Sequence, residues 1–155
     1  MAQELQINHA TVHYYFPHRE DLLDGVADFA QEQFRKDRVK FLEGARTASE
    51  RLESEIALAE AYCKKTSRFA KVLAGLYVAS VAIPGLRKKL QVLWKEWAVG
   101  VAEASKGAKV RKDSPYRDPE LLVATFLGSA LAAQLTDGKY SGKTAMDEVY
   151  RSALG

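Results

Sequence analysis

The three histidines of the chain, His9, His13 and His18, fall within ten residues of one another, and no other histidine occurs in the sequence. Imidazoles four residues apart share one face of a helix, so His9 and His13 could supply two ligands to a metal. The only thiol, Cys63, is far away in sequence, and no metal site is expected. Nucleophilic catalysis has as little to rest on. A Ser-His-Asp or Cys-His arrangement would have to reach back into this one segment. Gly142-Lys143-Thr144 is like the end of a phosphate loop, but Gly138 stands one residue too close and no strand precedes it. Glu53, Glu55 and Glu60 have the spacing of a helix surface, without partners for acid–base work. No catalytic residue, no cofactor and no enzymatic activity are expected. What the crowded imidazoles can do is donate and accept hydrogen bonds to something outside the protein.

The local elements support that use. Asn8 suits a helix N-cap, accepting from the backbone N–H of Thr11. Ile7 and Val12 then occupy the two positions of a hydrophobic staple. Val12 and Phe16, four apart, point inward together and leave Ala10, Thr11, His13 and Tyr14 on the outer side. Pro17 ends the helix by biasing Phe16 away from helical geometry. Upstream, Ala2-Gln3-Glu4-Leu5 is helix-prone, about a turn's length away. Helix, short turn, helix with a polar outer face is the helix-turn-helix arrangement.

The run Gln6-Ile-Asn-His-Ala-Thr-Val-His-Tyr-Tyr-Phe-Pro-His-Arg-Glu-Asp-Leu-Leu23 resembles the recognition-helix signature of TetR-type transcriptional regulators, over roughly residues 2–30. The resemblance implies DNA contacts at Asn8, His9, Ala10, Thr11, His13, Tyr14 and Arg19, with Arg19 where a lysine usually clamps the backbone. Gln6 stands in place of the family's usual glycine, His13 in place of a tyrosine, and His18 in place of a serine cap. It begins inside the second helix of the family's reader, so the family's first helix has no counterpart after Met1. The resemblance also implies a helical body that binds a small-molecule effector and forms a homodimer on operator DNA.

Composition sets the outer bounds. A length of 155 residues suits one domain, or a small head on a larger body, with 47% hydrophobic and 28% charged residues as in ordinary globular proteins. A single cysteine, no signal-type N-terminus and no apolar run of membrane length predict a cytoplasmic protein outside the membrane. Charge is uneven: residues 1–46 hold six Lys/Arg against eight Asp/Glu, and residues 84–117 hold nine against three. The basic stretch reads as a solvated face and loop. An isolated reader segment is electrostatically poor for DNA, whose affinity rests on basic groups.

Periodicity predicts an all-α fold with a truncated helix-turn-helix head in residues 1–46 and an effector-binding and dimerisation body in 47–155. A helix from Arg19 runs to Leu42, with Gly44 beyond it. Thr47 and Glu50 form a capping box that opens a helix to about Lys65. Ser67 to Ile83 is apolar nearly all round and is expected to be buried. Pro84 begins a helix striped by Leu90, Leu93, Trp94, Trp97 and Val101 that closes near Gly107. Asp118-Pro119 starts another that ends before Gly138, and a last one begins near Lys143.

Two groups of residues complete the expectations. The wide apolar faces of the last two helices predict a two-fold interface built on Leu122, Thr125, Phe126, Ser129, Ala133, Met146, Val149 and Tyr150. The family resemblance promotes Tyr62, Phe69, Leu73, Tyr77, Trp94 and Trp97 as the lining of an effector pocket, though each alone reads equally well as core. The function expected is that of a dimeric, ligand-responsive DNA-binding repressor. An effector-binding or protein-interaction module that has lost DNA binding is the alternative.

Overall fold

A computed structural model describes residues 18–137 and 139–155. Six α-helices and one 3-10 turn account for its regular structure, and no strand occurs among the described residues. They are α1 (Arg19–Leu42), α2 (Ala48–Tyr62), α3 (Arg68–Ser80), α4 (Pro84–Ala108), the 3-10 turn Pro115–Arg117, α5 (Pro119–Leu135) and α6 (Gly142–Leu154).

Capping residues set the starts. Glu50 donates its N–H to Thr47 Oγ1 at 3.2 Å while its carboxylate accepts from the Thr47 N–H at 3.0 Å, closing the expected box at α2. Ser67 accepts from Ala70 N–H at α3, Asp118 from Glu120 N–H at α5, and Ser141 from Thr144 N–H at α6. Each such cap is worth about 1 kcal/mol. His18 caps α1 without a side-chain hydrogen bond, and Glu20 and Asp21 in the first turn complement the helix dipole instead.

The ends are equally local. Gly44, at φ +85°, makes the turn from α1 to α2 in a conformation other residues enter at a cost. α2 stops at Tyr62, short of Lys65, because the Cys63 N–H tightens onto both Ala59 and Glu60 carbonyls. α3 stops at Ser80, short of Ile83, where the Arg87 guanidinium donates to the Ser80 and Val81 carbonyls at 3.2 and 2.7 Å. α3 also differs from its expected all-round burial. Ala70, Leu73 and Leu76 face inward, while Val78 and Val81 lie open to solvent.

An aromatic cluster joins five helices. Trp97 of α4 lies 5.1 Å from Phe34 of α1, 5.5 Å from Phe126 of α5 and 6.3 Å from Tyr62 of α2 between ring centres. Tyr62 stacks in turn on Phe69 of α3 at 4.3 Å. Aromatic pairs at these separations contribute about 0.5–1.5 kcal/mol each beyond their area. Ala27, Ala30 and Phe34 of α1 join the same core as residues of α2 to α6.

The last two helices require a correction. Leu122, Phe126, Ser129, Ala133, Met146 and Val149 are buried within the chain's own core and present nothing to a second subunit. Thr125 is half-buried and Tyr150 exposed. α5 carries only one charged residue, Glu120, and its outward side shows Leu121, Ala124, Gly128 and Leu135. The apolar character read from the sequence was real, but most of it closes the monomer.

Candidate effector cleft

Along α1, Phe29, Gln33, Asp37 and Phe41 recur every fourth residue and so form one stripe of the helix. With Ala30 and Lys40 they make one wall of an open cleft of about 480 Å³. Tyr62 at the end of α2, Thr66 and Ser67 in the connection, and Arg68, Phe69 and Val72 of α3 make the other. Twelve residues of helix give the wall a length of about 18 Å. The volume lies within the usual range for small-molecule sites, about 300–1,000 Å³. Phe29 is 69% exposed at the cleft mouth, the most exposed aromatic side chain among the described residues.

Polar groups are few and fixed. Asp37 accepts from the Tyr62 hydroxyl at 3.1 Å and from the Gln33 amide at 2.8 Å. Burial first, and then the negative charge of Asp37, raise the Tyr62 phenol far above its ordinary range, so it remains a hydrogen-bond donor. Lys40 and Arg68 stand exposed at the rim. The cleft thus offers aromatic faces, a tethered carboxylate and two mobile cations.

Behind the cleft, α1 is tied to the body by polar bridges. Glu55, read from its spacing as a surface residue, is in fact 1% exposed. Its carboxylate accepts from Arg38 Nε at 2.7 Å and from Trp97 Nε1 at 2.9 Å. The Arg38 guanidinium lies over Gly100, where any Cβ would collide with it. Nearer the start of α1, Lys89 of α4 reaches both Asp24 and Asp28 at 2.6 Å. Gln31 donates to the Lys89 carbonyl at 2.7 Å, and Arg35 pairs with Glu96 at 2.6 Å.

The expected pocket residues are split by this geometry. Tyr62 and Phe69 line the cleft. Leu73 and Trp97 are core, Trp97 lying beneath Tyr62 rather than against a ligand. Tyr77 and Trp94 line a separate groove of about 320 Å³ between α3 and α4. Burial pushes the Tyr77 phenol up to about 12, and its oxygen finds no partner among the described residues. The α1 wall was missed, although the four-residue recurrence of Phe29, Gln33, Asp37 and Phe41 was present in the sequence.

Of the expected DNA contacts, Arg19 is exposed in the first turn of α1. Asn8, His9, Ala10, Thr11, His13 and Tyr14 lie outside the described residues. Among the described residues no three His, Cys, Asp or Glu side chains are grouped to hold a metal, and no helix is long and apolar enough to cross a membrane. No family model, curated protein or solved structure matches the chain.

Proposed function

We propose that the chain is a dimeric, ligand-responsive DNA-binding regulator of transcription, a repressor released by a small hydrophobic or aromatic effector. The observation that carries this reading is the double position of α1. It continues directly in sequence from the segment that resembles a TetR-type recognition helix, and one stripe of it is a wall of the cleft. An occupant of the cleft would press on the helix that leads to the reader.

In this reading Thr11, His13, Tyr14 and Arg19 hold phosphates, while Asn8, His9 and Ala10 face base edges. A dimer places two such readers on half-sites about one helical turn apart. The effector needs only to bind the released state better, by about 1–3 kcal/mol, or about 5–150-fold, for ordinary allosteric coupling. Tyr62 and Phe69 are its aromatic floor, and Trp97 senses it through Tyr62.

Selection of duplexes from a random-sequence pool, followed by anisotropy titration of the winners, tests the proposal. The expected result is an enriched inverted repeat whose affinity falls steeply with salt and is reduced by Arg19→Ala on every sequence. An aromatic ligand that quenches Trp97 fluorescence should release that duplex. A pool that yields no enriched sequence, with ligand binding intact, would leave the effector-binding module as the better reading.

A further inference from the structure

A second hollow, of about 440 Å³, lies where the end of α4 meets the 3-10 turn and the start of α5. Ser105, Lys106, Lys109 and Arg117 line it, and no acidic residue does. Two acidic residues close in sequence to this lining are engaged elsewhere. Asp118 caps α5 through the Glu120 N–H at 2.9 Å, and Asp113 pairs with Arg111 at 2.8 Å. None of Lys106, Lys109 and Arg117 has an ion-pair partner among the described residues.

A lysine in the last turn of a helix is explained by the helix dipole alone, and Lys106 needs no more than that. Three observations go further. Arg117 arrives from a different element, so two independent segments bring cations to one hollow. Lys109 ends α4 at φ +53°, the left-handed position that glycine usually fills. Ser105, 9% exposed, holds a hydroxyl that is buried and has no hydrogen-bond partner among the described residues. An unpaired buried hydroxyl beside three unpaired cations is a set of donors lacking an acceptor.

The hollow is also remote from the early turns of α1. Lys89 contacts the start of α1, and Lys106 stands 17 residues further along α4, about 25 Å down the helix axis. We infer that the hollow binds the phosphate group of a small phosphate monoester, with Lys106, Lys109 and Arg117 supplying charge-assisted hydrogen bonds and Ser105 a neutral one once its hydroxyl turns from its buried position. The site goes beyond the DNA-binding reading and stands whether or not that reading holds.

Phenyl phosphate, titrated calorimetrically and by thermal shift into the full chain at fixed ionic strength, is the probe. Saturable binding is expected, weakened at least fivefold by Arg117→Ala and by Lys109→Gly, and unchanged by Lys88→Ala on another part of α4. Two variants should move the two readouts in opposite directions. Ser105→Ala removes an unpaired hydroxyl and Lys109→Gly removes a left-handed side chain, so both should melt higher than the parent without probe yet bind it less well. A merely structural role would not separate the two readouts. Absence of saturable binding would overturn the site. So would equal weakening by Lys88→Ala, which marks diffuse attraction, or parental affinity in Ser105→Ala.

Discussion

Glu55 is the one charged residue buried in the core among the described residues. It is buried, and both its oxygens are occupied, one by Arg38 and the other by the indole of Trp97. Glu55→Ala would leave a largely buried guanidinium without its countercharge, at a cost of about 3–5 kcal/mol in a urea titration. Glu55→Gln keeps the shape and one acceptor, and should lose only about 1–2 kcal/mol. Comparable midpoints for the two variants would show that Arg38 finds another partner. Base titration probes a second set of residues. Burial, then the neighbouring Glu60, pushes the Cys63 thiol up to about 11 from 9.0, and burial pushes the Tyr77 phenol up to about 12 from 10.0. Both folded values exceed the unfolded ones, so the folded chain keeps protons that the unfolded chain releases. The stability they contribute is complete below pH 9 and is lost as pH rises from about 9 towards 12. Denaturation midpoints measured from pH 8 to 11 should fall, and Cys63→Ser should flatten the first part of that fall.

At the scale of elements, two kinds of bridge hold α1, and they differ in worth. Lys89 with Asp24 and Asp28 is a partly exposed cluster, worth about 0–1 kcal/mol. Arg38 with Glu55 is enclosed, and Gly100 makes room for it. Lys89→Met should therefore be nearly silent in thermal melts, while Gly100→Ala should cost about 1–3 kcal/mol by displacing the guanidinium. The same Gly100→Ala change in an Arg38→Ala background should cost little, because the obstruction is gone. Additive costs in that cycle would place the strain elsewhere. The sequence was most informative about element starts, since Thr47, Ser67, Asp118 and Ser141 act through neighbours two or three residues away. It was least informative where partners are distant. Glu55 sits in the stripe Leu52, Ile56, Ala59 and Tyr62, which its chain neighbours make apolar, but only Arg38 and Trp97 make burial tolerable. Tyr62 and Phe69 were among the pocket candidates, yet the α1 wall opposite them was read only as part of a helix. The split of Tyr77 and Trp94 into another groove depends on the α3–α4 crossing, which periodicity does not encode.

At the scale of the whole molecule, the question is which surface a second copy would cover. The buried set Leu122, Phe126, Ala133, Met146 and Val149 answers it negatively, because a charge there enters the chain's own core. Phe126→Glu should abolish folding rather than assembly. What α5 leaves outside is Leu121, Ala124, Gly128 and Leu135, the last 85% exposed, on a helix with a single charge. Gly128 has open space around it, so a facing helix could approach its backbone closely. In the proposed regulator this outward side is the two-fold contact, with half-buried Thr125 of the expected set on the same helix. Leu121 and Leu135 are exposed, so Leu121→Glu and Leu135→Glu should each leave the helical circular dichroism and the melting cooperativity of the monomer intact. Placed together, they put two like charges on each copy of an apolar contact, and the unpaired ions cost several kcal/mol on association. Sedimentation equilibrium at micromolar concentration should then show a dimeric parent and a monomeric, fully helical double variant. The double variant should also lose the steep preference for inverted repeats over single half-sites. A parent that sediments as a monomer would remove the dimer from the proposal, and a double variant that remains dimeric would move the contact away from α5.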